Sequence, residues 1–147
     1  MKQQNNLCLF LEEFNDRYKF LPVIEIENEC TLLPGNIFAG YIDVWNNSPK
    51  LSSSGMRKEV RIKPVVLKYL SSIASSWFKF VVSGEDDWKE IQMDFIDPGY
   101  IRKDQIILMP LAYNLEELEK NRSAVIAMAI EYNVRYSSRE QLVAELP

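Results

Sequence analysis

Short apolar runs alternate with amphipathic segments along this chain, and that alternation constrains the fold more than any other feature. Residues 21–27, 41–45, 78–82 and 105–109 read as strands, and residues 134–136 as a last short one. Residues 5–18 have helical spacing, with Leu7, Phe10, Leu11 and Phe14 on one face. Pro64 suits the first turn of a helix over 64–75 that buries Val66, Leu67, Leu70 and Ile73. Residues 85–95 open with Glu85, Asp86 and Asp87, the charge that a helix N-terminus favours. Asn114, with Glu117 three residues on, predicts a capped helix carrying Leu115, Leu118, Arg122, Val125 and Ala129 on one stripe. Ser137 or Ser138 caps a final helix that ends at Leu146 and Pro147.

Strands that read as continuous apolar runs, separated by helices, are the mark of a parallel sheet covered by helices. The expected class is therefore α/β, a mostly parallel sheet with helices on its outer face. The length of 147 residues suits a single domain over 1–147, and 47% apolar residues supply a core. An open array of this kind leaves a bare strand edge and some apolar surface to be covered.

Composition narrows the chemistry. The net charge is −4 and the pI about 5.0, which disfavours a nucleic-acid partner, since that needs a basic face. No apolar run approaches the ~20 residues of a membrane span and no signal-peptide pattern opens the sequence, so no membrane partner is expected and the cytoplasm is the default compartment. Histidine is absent, which removes Ser-His-Asp and Cys-His catalysis and imidazole metal ligands. Cys8 and Cys30 are too few to ligate an iron–sulfur cluster and read as small buried residues. Trp45, Trp77 and Trp88 are spread out and read as core residues, not as a base-stacking platform.

The least generic stretch is Ser48-Pro49-Lys50-Leu51-Ser52-Ser53-Ser54-Gly55. A hydroxyl, a lysine and a small-residue loop after a strand suit a ligand carrying a carboxylate or phosphate. The same composition also makes an ordinary surface loop. Glu27 and Glu29 either flank a site at a strand's C-terminal end or are solvated there. Lys79 either points into a barrel interior or snorkels out at an edge. Asp86 and Asp87 read as first-turn helix residues without chemistry.

Five stretches occur in one order: Glu27-Asn28-Glu29-Cys30-Thr31, the 48–55 loop, Phe78-Lys79-Phe80-Val81-Val82 followed by Glu85-Asp86-Asp87, Leu108-Met109-Pro110, and Arg135-Tyr136-Ser137. That order resembles the C-terminal part of the 7-carboxy-7-deazaguanine synthase family, radical S-adenosylmethionine lyases of queuosine-type deazapurine biosynthesis. The resemblance implies the C-terminal half of a partial (β/α)6 barrel. It implies a reaction that converts 6-carboxy-5,6,7,8-tetrahydropterin to 7-carboxy-7-deazaguanine and ammonia, with S-adenosylmethionine, a 4Fe–4S cluster and Mg2+. The family's CxxxCxxC loop and Gly-Gly-Glu-Pro segment do not occur here. This chain alone is therefore expected to be inactive, with no catalytic or metal-ligating residue of its own, and to need a cluster-bearing N-terminal half or a homodimer partner.

Residue by residue, the resemblance implies S-adenosylmethionine contacts at Ser48, Pro49, Lys50, Cys30, Met109, Pro110, Leu111 and Ala112. It implies substrate contacts at Asn28, Gln141 and Pro147. Cys30 stands where the family usually has glycine, Glu29 where it has asparagine, and Gln141 where some members have histidine. Gln141 also fits a helix cap begun by Ser138. Two other readings stand beside the enzyme: a catalytically inactive half-barrel that binds another protein, and a decayed gene fragment.

Overall fold

In the computed structural model, which describes residues 2–139, five parallel strands form one sheet. The elements are α1 (Lys2–Tyr18), β1 (Glu25–Asn28), α2 (Asn36–Ala39), β2 (Val44–Asn47), α3 (Lys58–Arg61), α4 (Pro64–Ser72), β3 (Ser76–Val82), α5 (Glu85–Ile91), β4 (Ile106–Pro110), α6 (Leu115–Glu131) and β5 (Arg135–Tyr136). A short 3-10 turn at Ser52–Ser54 follows β2, and a π-turn at Gln92–Ile96 extends α5. The strand order is β1-β2-β3-β4-β5, so every strand pairs with its neighbours in sequence. Right-handed crossovers, the near-universal hand, put the helices of such a one-directional sheet on one face.

Burial along β3 alternates without a break. Ser76, Phe78, Phe80 and Val82 are fully buried, while Trp77, Lys79 and Val81 are half-exposed. Register carries the same division across the sheet: Phe78 sits beside Ile106 and Phe80 beside Leu108, all in the core. The helices cover this face, with Val66, Leu67, Leu70, Trp88, Ile91, Val125, Met128 and Ala129 buried in the same core. The other face carries Glu27, Asn46, Lys79 and Ile107 and stays partly open to water. The parallel sheet with a helical layer on one face is as expected.

Several boundaries move. The strand expected at 21–27 is Glu25–Asn28, because residues 21–23 are exposed and make no ladder. The second strand shifts to Val44–Asn47, and the helix at 64 ends at Ser72. On α1 the buried residues are Cys8 and Leu11, whereas Leu7 and Phe10 are exposed. Phe14 is instead the centre of an aromatic cluster, with the rings of Phe10, Tyr18 and Phe20 at 6.1, 4.7 and 5.6 Å from its own. On α6, Leu115 and Arg122 face water while Leu118, Val125, Met128 and Ala129 are buried. The Asn114 cap is found as expected: its side chain accepts from the Glu117 N–H at 2.9 Å, and Glu117 accepts from the Tyr113 N–H at 2.8 Å. The final helix expected after Ser138 lies outside the described residues.

Trp45 and Trp88 are core residues, but Trp77 is half-exposed, with the Arg135 guanidinium 3.7 Å over its ring. A one-sided sheet leaves this tryptophan on the open face, where a cation–π contact replaces burial. No helix among the described residues is long and apolar enough to cross a membrane.

Candidate functional site at the strand ends

The C-terminal ends of parallel strands leave backbone groups free for ligands, and α/β sheets use that edge for chemistry. Here Asn28 ends β1, Asn47 ends β2, Val82 ends β3 and Pro110 ends β4, so the loops after them converge. A cleft of about 300 Å3 opens among these loops. Ser48, Lys50, Ser54, Val81, Asp87 and Leu111 are among the residues lining it. Its volume is at the small end of ligand sites. Residues far apart in the sequence thus meet: Ser48, Pro49 and Lys50 after β2, and Leu111 after β4. Met109 is half-exposed in β4, and Pro110 and Ala112 are buried behind the cleft.

The floor beneath the loops is a polar chain. Asn47 is fully buried, and its amide donates to Ser76 Oγ at 2.8 Å and to the Trp77 carbonyl at 3.0 Å. Its Oδ1 accepts from Asn28 Nδ2 at 2.8 Å. Asn28 Oδ1 in turn accepts from the Cys30 N–H at 2.8 Å, and the Asn28 carbonyl accepts from the Ser48 N–H at 2.7 Å. Asn28 therefore has both ends of its side chain engaged in holding the strand ends together. It also borders a second, smaller cavity of about 150 Å3, with Ile26, Glu29, Thr31 and Trp45. Sequence reading missed Asn47, because nothing in an asparagine at a strand end announces that both neighbouring strands will bond to it.

Cys30 has φ +60 and is wholly buried. Left-handed backbone is uncommon for a residue with a side chain, and the Asn28 turn holds it there. Burial pushes the thiol far above its ordinary value of 9.0; Lys50 pulls it down less strongly, and Glu29 adds a small push upward. A thiol held protonated is a poor metal ligand and nucleophile. Folding favours its protonated form, so the contribution is complete below pH 9 and is lost as the unfolded chain's thiol ionises at higher pH. Relative to Cys30→Ala, the natural chain should lose stability by about 1.4 kcal/mol more per pH unit above pH 9, measured by urea unfolding.

Lys50, one-third exposed, lies 3.2 Å from Glu29. Exposed pairs of this kind contribute little, so the lysine remains available to an anion. Lys79 faces the open side of the sheet, 3.9 Å from the exposed Glu27. Asp86 is exposed and paired with Lys89 at 2.8 Å. Asp87 accepts from Ser83 N–H and Oγ at 2.6 and 2.8 Å and also lines the cleft.

No group of three or more histidine, cysteine or acidic residues fit to hold a metal occurs among the described residues. The residues present thus do not fit a thiolate-ligated cluster, which needs more cysteines than this chain has. Gln141 and Pro147 lie outside the described residues.

Neither a family model nor a solved structure matches the chain. A 7-carboxy-7-deazaguanine synthase from Pyrobaculum aerophilum is 28% identical over 134 residues, covering 91% of this chain and 57% of that protein. A second, from Hyperthermus butylicus, is 24% identical over 90 residues, covering 59% of this chain and 38% of that protein. The chain therefore spans little more than half the length of the first of these relatives and less than half of the second. By sequence it is similar to the 7-carboxy-7-deazaguanine synthases along nearly the whole of its own length.

Proposed function

We propose that this chain is the S-adenosylmethionine- and substrate-contacting C-terminal portion of a 7-carboxy-7-deazaguanine synthase-like radical lyase. The observation that carries this reading is the cleft at the strand ends, which gathers Ser48, Pro49, Lys50 and Leu111 from the segments that the resemblance assigns to S-adenosylmethionine. The one-directional strand order supports it as well, since an arc of a (β/α)6 barrel has that order.

In this reading Lys50 meets the carboxylate or ribose oxygens of the ligand as a point charge. Ser48 offers a hydroxyl, and Leu111 and Val81 give an apolar wall for the adenine. Asn28 and Asn47 hold the strand ends in register beneath the ligand. The chemistry S-adenosylmethionine supplies in this family is the radical start of a ring contraction that ends with loss of ammonia. The electron for it belongs to a 4Fe–4S cluster, and a Mg2+ ion accompanies the substrate. Neither finds a set of ligands among this chain's described residues, so a cluster-bearing N-terminal segment is the partner this reading requires. The outer edge of β1 is where its strands would join, because no strand pairs with that edge among the described residues.

A second reading, a non-catalytic module that binds protein, is favoured by one observation. Phe10 on α1, Ile37 on α2, and Phe20, Val23 and Leu32 in the segments flanking β1 are all exposed, and exposed apolar surface marks interaction sites.

Calorimetry with S-adenosylmethionine separates the two. The enzyme reading expects binding by the natural chain, weakened about tenfold or more in Lys50→Ala, the worth of one charge-assisted contact. Equal affinities would remove Lys50 from the site. Absence of binding, together with self-association on size-exclusion chromatography, would favour the second reading.

A further inference from the structure

The loop that lines the cleft closes on itself as a turn, with the Ser54 N–H and hydroxyl donating to the Leu51 carbonyl at 3.1 and 2.7 Å, and it is also held from outside. Between the buried Leu51 and the left-handed Gly55, residues 52–54 make one exposed turn. Its first residue is gripped from outside. The Ser52 N–H donates to both oxygens of Glu90, at 2.9 and 3.2 Å, and the Ser52 hydroxyl donates to Glu90 Oε2 at 2.5 Å. Glu90 lies near the end of α5 and does not line the cleft.

Glu90 is itself fixed from behind. Arg61, at the end of α3, has a side chain only 5% exposed, and its Nη1 lies 2.7 Å from Glu90 Oε1. The same nitrogen donates to the Lys50 carbonyl at 3.4 Å, and Nη2 lies 3.6 Å from Asp94. Lys58 pairs with Asp94 in turn. Arg61 thus touches both the carboxylate that holds Ser52 and the backbone of Lys50, the residue placed closest to the ligand's charge. Its Nε is buried and has no partner in the structure. Burying an arginine carries a desolvation cost, which makes a purely stabilising role a weak account of this residue.

We propose that Glu90, oriented by Arg61, is the positioning residue of the ligand loop: it sets the backbone of Ser52 so that Lys50 and Ser54 face the cleft before ligand arrives. The inference rests on the assignment of S-adenosylmethionine to this cleft. Its energetic content is preorganisation, because a loop ordered in advance spares the ligand the cost of ordering it. Neither residue touches the ligand, so their effect must appear in loop order and affinity together.

The test combines amide hydrogen exchange at residues 52–55 with S-adenosylmethionine calorimetry, on the natural chain, Glu90→Gln, Glu90→Ala and Ser52→Ala. Exchange at Ser52 should quicken by about tenfold or more in Glu90→Ala, the worth of a hydrogen bond to a charged acceptor. Affinity should fall in step, and Glu90→Gln, which keeps one oxygen for the Ser52 N–H, should recover part of both. Ser52→Ala, at an exposed position, keeps the fold intact and should lose a smaller share of affinity. Exchange that stays unchanged in Glu90→Ala would overturn the clamp. So would faster exchange with undiminished affinity. A natural chain whose Ser52 amide is protected but which binds no S-adenosylmethionine would instead overturn the ligand assignment of the cleft, and this inference with it.

Discussion

Phe80→Ala should destabilise the folded chain by about 4 kcal/mol, the usual cost of emptying a buried phenylalanine site. Phe80 is fully buried at the centre of β3, with the Phe95 ring edge-on at 5.0 Å. It lies between Leu108 on β4 and the helical layer, so truncation leaves a hole that the rigid sheet cannot close. Phe80→Leu keeps most of the volume and should cost less than half as much, losing chiefly the edge-to-face contact with Phe95. Urea unfolding of the three proteins measures both. Equal midpoints for Phe80→Ala and the natural chain would mean that the core is not where β3 and β4 place it.

Asn47→Leu should cost about 3 kcal/mol, although it replaces a polar residue in the interior by an apolar one of similar size. The expectation follows from the partners left behind. Ser76 Oγ, the Trp77 carbonyl and Asn28 Nδ2 would each lose a bond, and a buried group without a partner costs roughly 1–3 kcal/mol. The effect should not be confined to stability. With Asn28 released, the Cys30 turn loses its anchor, and exchange at the Cys30 amide should quicken even in native buffer. A variant as stable as the natural chain would show that this polar chain is incidental.

How much of this was readable beforehand depends on whether a residue's fate was local. The Asn114 cap was readable, because its donor is three residues away on the same helix. The strand cores were readable for the same reason: a run such as Phe78 to Val82 carries its own period. The inner face of α1 was read in part: Leu11 and Cys8 are buried as expected, but spacing alone also favoured Leu7 and Phe10, and the neighbour that settles the face is the distant 35–42 region. The clamp on Ser52 was invisible. It joins residues 52, 61 and 90, and a glutamate on a helix surface gives no sign of reaching across to a loop. The same holds for Arg61, which by composition belongs outside and is the one buried charged residue among the described residues.

The strict neighbour order of the strands bears on how the chain assembles. Each strand finds its partner within the preceding few dozen residues, so the loops that must close are short and no distant strand has to arrive first. Each parallel pairing still requires a helix-bearing crossover to close first, which makes such sheets slower to form than hairpins. Each βα unit lies beside a strand of the unit before it, so the sheet is extended one unit at a time along its strand order. A gene boundary placed between two such units would cut through one continuous core, and each part would expose apolar surface and a strand edge for the other to cover.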